Sequence, residues 1–261
     1  MMVSRLSCRS TGSPASGHRK RAAWRLRWCT VFGLSAAIAP SVSAQVGHPP
    51  GASPYRDIRK GHTFSVSGGY FSGGGGDFGI GPHSGSIFGA RYDIRTASAL
   101  QIGIGFARGG LKRLIVDPFV ALANRTTGPV NQTVTFAELT LQMNVTGGKS
   151  WHRIAPFVAG NAGLAFATST PGDTSQYKFG RKFYVAPAIG TRFFVTDRLH
   201  LRAEARATFW KLNYPTTFQQ EPPAEPGNGT TSNAVIPPPG KLAQWTTSSW
   251  LQIGLGYSFS P

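Results

Sequence analysis

The chain has 261 residues, a formal net charge of +17, 33 glycines and 19 prolines. With 40% hydrophobic and 11% aromatic residues, it has too much to bury for a disordered chain. The charge first suggests nucleic acid, but no nucleic-acid role is expected, because the bases are concentrated in a leading segment of another kind.

That segment is residues 1–44. Arg5, Arg9, Arg19, Lys20, Arg21, Arg25 and Arg27 stand there without an acid, ahead of the apolar run Val31–Ala39 and the small-residue end Val42-Ser43-Ala44. A basic start, a short apolar stretch and a small-x-small end describe a secretory signal peptide. The apolar run is too short to span a bilayer as a helix. Cleavage is expected before Gln45, and mass spectrometry of the mature protein should find its N-terminus there. Cys8 and Cys29, the only cysteines, would leave with the peptide, so no disulfide, thiolate metal site or cofactor is expected. Residues 45–60 read as a polar periplasmic lead-in, and 61–261 as one domain.

No stretch after residue 44 is long and apolar enough for a transmembrane helix. Period-two runs recur instead, placing one residue type on each face of a strand. The eight runs are His62–Phe71, Ser86–Arg95, Ala99–Arg108, Thr133–Thr146, Ile154–Ala167, Lys182–Val195, Leu199–Trp210 and Ser249–Ser260. In the third, Leu100, Ile102, Ile104 and Phe106 oppose Gln101, Gly103, Gly105 and Ala107. In the last, Leu251, Ile253, Leu255, Tyr257 and Phe259 oppose Trp250, Gln252, Gly254 and Gly256. Val134 and Phe136 break the phase of the fourth, which predicts a bulge or an extramembrane extension. Runs of this length cross a bilayer when tilted.

The connections alternate in length. Ser72–Gly85, Gly109–Gln132, Thr168–Arg181 and Asn213–Thr247 are long, and those near Thr96-Ala97-Ser98, Gly147–Arg153 and Thr196-Asp197-Arg198 are short. Long external loops and short periplasmic turns are the asymmetry of a membrane barrel. The proline-rich Asn213–Thr247 reads as an extended, mobile loop. Aromatics on the apolar faces sort to the strand ends. Tyr70, Phe88, Phe106, Phe166, Phe183 and Phe209 lie externally, and Phe64, Phe193, Tyr257 and Phe259 at the periplasmic side. Two such belts favour lipid contact. The predicted fold is all-β, an eight-stranded antiparallel up-and-down transmembrane barrel.

Three segments carry a resemblance: the pair Ala155–Gly160 and Val185–Gly190, the hairpin Phe193–Glu204, and the terminal strand Gln252-x-Gly254-x-x-Tyr257-x-Phe259. Over residues 61–260 the chain resembles the small eight-stranded outer-membrane barrels typified by the OmpA membrane domain, OmpX and the opacity-type proteins. The resemblance implies a monomer in the outer membrane of a Gram-negative-type bacterium. It also implies that Gln252, Gly254, Tyr257 and Phe259 are the signal read by the barrel-assembly machinery.

Eight strands leave an interior just wide enough for side chains to fill. Arg91, Asp93, Arg95, Glu138, Arg192, Arg202, Glu204 and Arg206 fall on the inward face and are expected to pair as a salt-bridge network, since unpaired charges are costly there. A narrow channel lined by these charges is the alternative. Arg108, Lys112, Arg113 and Arg125 near the external rim are candidate contacts for lipopolysaccharide phosphates. Some barrels of this kind modify lipid A with interfacial His, Ser and acid groups, but His48, His62, His83, His152 and His200 form no His-x-Ser pair on an outward face. No enzymatic activity is expected. The external loops carry the expected structural or recognition role, with the ligand unnamed by the sequence.

Overall fold

The computed structural model describes residues 53–260; the signal segment 1–44, its cleavage site and His48 lie outside them. Ten strands form one antiparallel sheet. They are β1 (Tyr55–Asp57), β2 (His62–Gly73), β3 (Ser84–Arg95), β4 (Leu100–Val116), β5 (Thr126–Asn144), β6 (Lys149–Trp151), β7 (Ile154–Ala167), β8 (Arg181–Phe194), β9 (Leu199–Asn213) and β10 (Ala243–Phe259). The eight long strands pair in chain order, and β10 returns to β2 in continuous register from Phe259↔His62 to Ser248↔Gly73. That last pairing closes the sheet. A closed antiparallel barrel leaves no unpaired strand edge, which is the condition for crossing lipid with strands.

The period-two pattern is realised as two faces. Phe64, Val66, Ile102, Ile104, Leu139, Leu141, Ile189, Leu251 and Ile253 point outward and are exposed. Their strand neighbours Ser65, Gln101, Thr140, Gln142 and Gln252 point inward and are buried. An apolar exterior around a polar interior inverts the arrangement of a soluble barrel. Ile253 is 69% exposed in the middle of β10. Ile253→Arg is expected to destabilise the barrel by about 2–4 kcal/mol in urea unfolding from lipid vesicles. Ser260→Arg, beyond the strand end, should be close to neutral. Equal losses at the two positions would contradict a lipid-facing β10.

Strand ends at the short-turn side match the expected boundaries closely. Thr196 caps the β8–β9 turn, its hydroxyl accepting from the backbone N–H of Arg198 and Leu199, the local bond that favours Ser and Thr in turns. The external side differs from expectation. Gly109–Gln132 is largely strand: β4 and β5 continue as a hairpin beyond the barrel, with a register shift between Arg113 and Ile115. The expected extension is present, since β5 begins at Thr126, and no bulge occurs at Val134 or Phe136. Both keep the phase of inward Glu138 and Thr140 and are fully buried.

The lead-in is also structured. β1 pairs with β6, Ile58 donates its N–H to the Gly148 carbonyl, and Ile58 packs with Ala155 and Phe194. Residues 55–58 therefore lie against the short-turn end of the barrel.

Candidate functional site: the barrel interior and its external cap

The interior has two layers. The layer nearer the short turns is polar. Glu204 on β9 accepts from Arg202 Nε at 2.8 Å and from Arg206 Nε, and lies 3.7 Å from Arg91. Arg206 reaches across to both oxygens of Glu138 at 2.7 and 2.8 Å, and the Tyr184 hydroxyl donates to the same carboxylate at 2.7 Å. Arg91 donates to Asp93 at 3.0 Å and to Gln142 at 3.1 Å, while Arg202 donates to the same Gln142 oxygen at 2.8 Å. Two guanidinium groups also sit over aromatic rings, Arg202 over Phe157 at 4.0 Å and Arg206 over Trp250 at 4.5 Å. Such contact keeps attraction while shedding water.

Arg192 is the exception to pairing. It is 1% exposed and bonds only to the neutral Asn144 and Gln101 oxygens, at 2.8 and 3.3 Å. Arg95 does not join the network. It turns to the barrel end, where it donates to the carbonyls of Ile58 and Lys60. The strand phase placed it inward correctly, but its position one residue before the turn put the lead-in's carbonyls closer than any inward acid.

Several inward side chains have room because glycines pair directly across from them on the adjacent strand. A Cβ on Gly103 would collide with Asp93 Oδ1, one on Gly256 with His200 Nε2, and one on Gly190 with the Phe157 ring. Part of the high glycine content is thus a packing requirement of the interior.

The external layer is aromatic, which sequence reasoning missed. Phe136 stands within 6.1 Å of the rings of Phe71, Tyr184, Trp210 and Trp250. This cluster continues into the external segments through Ile80, Tyr177, Phe179, Phe218, Val235 and Ile236, all buried. The segment 214–242 is therefore a folded part of a cap, contrary to its reading as an extended loop. Apolar residues on the inward face supply the signal that could have found it, had Val134, Phe136, Trp210 and Trp250 been read as a second core.

Of the four rim bases, Arg108 and Lys112 point outward and are exposed. Arg125 donates to the Asn233 carbonyl within the cap. Arg113 is a correction: it is 1% exposed and ion-paired with Asp173. Strand β4 extends past it and turns it inward, so it cannot meet lipopolysaccharide. It also lies over the Tyr177 ring at 5.4 Å. Burial pushes the Tyr177 phenol above its ordinary range, against the pull of the Arg113 cation.

This is a closed eight-stranded antiparallel barrel, apolar on its outer face. The chain matches no family model and no curated protein. Among solved structures it is similar to Neisserial surface protein A, at 12% identity and a TM-score of 0.47, covering 76% of this chain and 97% of that one. It is also similar to OprG from Pseudomonas aeruginosa, at 12% identity and a TM-score of 0.46, covering 77% and 98%. The attachment invasion locus protein Ail of Yersinia pestis aligns at 11% identity and a TM-score of 0.38, covering 77% and 99%. The fold of this chain rests on its own pairing, above all that of β10 with β2.

Of the described histidines, His62 and His83 make side-chain hydrogen bonds. His62 pairs with the Tyr92 hydroxyl at 2.6 Å, His83 with the Gly81 carbonyl, and His200 packs against Phe194. Among the described residues, none is hydrogen-bonded to a serine or a carboxylate.

Proposed function

We propose that the protein is a non-conducting outer-membrane barrel that holds a folded cap at the cell surface for structural support or recognition. The observation that carries this reading is the filled interior, a paired ionic layer beneath an aromatic layer that runs on into the cap. The space left beside Arg91, Glu138, Arg202 and Arg206 is about 20 Å³, room for a single water. That favours a plug over the narrow-channel alternative. Export through the secretory pathway, with removal of residues 1–44, and insertion by the assembly machinery complete the reading. Gln252 and Gly254 then face the interior side of β10, while Tyr257 and Phe259 form its outward periplasmic end.

Cap exposure is tested by labelling intact cells. A cysteine replacing Ala224, which is exposed in the cap, should react with a membrane-impermeant thiol reagent. One replacing Asp197, exposed in the β8–β9 turn, should react only after the outer membrane is permeabilised. The reverse pattern would overturn the orientation and with it the surface role.

A further inference from the structure

On three strands a base stands two residues beyond the external belt aromatic, on the same outward face. Arg108 follows Phe106, Arg181 precedes Phe183, and Lys211 follows Phe209. Two residues of strand are about 7 Å, so each base lies just beyond the aromatic end of its own strand. Trp245, 62% exposed and in register with Lys211, marks the same level with a side chain suited to a membrane interface. Among the described residues no acid occupies an outward position on any of the eight long strands. At the other end no Arg or Lys stands in that position. Two residues beyond Phe64, Tyr92, Phe193 and Tyr257 stand His62, Ile94, Val195 and Phe259.

A groove of about 570 Å³ opens on this face of β2–β5, between Arg108 and Lys112 and above Tyr70 and Phe88. Its middle is left open by Gly110, whose added Cβ would meet nothing within 4 Å. Arg108 and Lys112 are four residues apart, about 13 Å along β4. That spacing lets each side chain take a phosphate of its own, which suits a headgroup bearing two.

We propose that this groove binds a bisphosphorylated glycolipid of the outer leaflet, of the lipid A class. Arg108 and Lys112 each take one phosphate by charge-assisted hydrogen bonds, and Phe88 and Tyr70 support the sugar and proximal acyl chains. The inference rests on the outer-membrane reading above, but its test is separate, because binding is measured on purified protein.

The protein is extracted folded in a non-ionic detergent and titrated with bisphosphoryl lipid A, monophosphoryl lipid A and phosphatidylglycerol. Bisphosphoryl lipid A should bind roughly tenfold more tightly than the monophosphoryl form, as expected for one charge-assisted contact, and phosphatidylglycerol should bind more weakly still. The double variant Arg108→Gln/Lys112→Gln should erase the difference between the two lipid A forms. Gly110→Leu should weaken both without altering the charge, and heat-modifiable gel mobility should show each variant folded. Equal binding of all three lipids, or unchanged binding in the folded double variant, would overturn the site. Either result would leave the cell-labelling outcome untouched.

Discussion

Glu204→Gln is expected to destabilise the folded barrel by roughly 3–5 kcal/mol, the usual cost of removing one partner from a buried ionic cluster. Glu204 is the shared acceptor of Arg202 and Arg206 and lies 3.7 Å from Arg91. A glutamine can still accept hydrogen bonds but cannot offset three guanidinium charges. Arg206 would keep Glu138, and Arg91 would keep Asp93. Arg202 would be left with the Gln142 oxygen and the face of Phe157. Arg206→Gln should cost less, because Glu138 keeps the Tyr184 hydroxyl and Glu204 keeps Arg202. Replacing Arg202 and Glu204 together, by Met and Gln, should recover part of the single-variant loss, since removing both members of a buried pair is far milder than removing one. Urea unfolding in lipid vesicles, followed by tryptophan fluorescence, measures all of these. A loss at Glu204 no larger than at an exposed ion pair, up to about 1 kcal/mol, would mean that water reaches the network.

Phe136→Ala is expected to cost a comparable amount, about 3–5 kcal/mol. Phe136 is fully buried at the centre of the aromatic layer and touches rings from β2, β8, β9 and β10. The surrounding barrel wall is held by backbone pairing and cannot collapse into the gap, so most of the cavity should persist. Leu139→Ala, three residues along β5 and 62% exposed, should cost less, because lipid tails fill the space a truncated outward side chain leaves. Equal losses at the two positions would contradict the assignment of inner and outer faces on β5.

What was legible in the sequence follows from which environment is strict. Charge on a lipid-facing position is costly, so Ile102, Ile104, Leu251, Ile253 and Leu255 kept a clean period, and the strand count and closure could be read from it. The interior is permissive. It accepts Arg202 and Glu204 in one layer and Phe136 and Trp250 in the next, and apolar residues on both faces look like a break in phase. That is why Val134 and Phe136 suggested a bulge and why the aromatic layer went unread. The ionic cluster was legible as a set of inward residues because strand parity fixes the face. Which acid meets which base depends on height and reach across the barrel, and so Arg95 was grouped with partners it does not touch. The cap was least legible: Tyr177, Phe179, Phe218 and Ile236 lie in segments rich in Gly, Pro and Thr, and only the barrel's open end gives them a common core. Arg113 belonged to such a segment in the sequence. Val130, which pairs with it, and Ile115 and Val116 just beyond it are β-branched residues that favour strand and were the available sign that the hairpin continues.

The central claim is that the barrel is sealed by its own side chains. The most direct measurement is single-channel recording of the full-length folded protein in planar bilayers. With the ionic layer paired and the aromatic layer stacked above it, the wild type should give no steady current at moderate voltage. Large, stable conductance steps of a single size would contradict the sealed interior and establish the channel reading in its place.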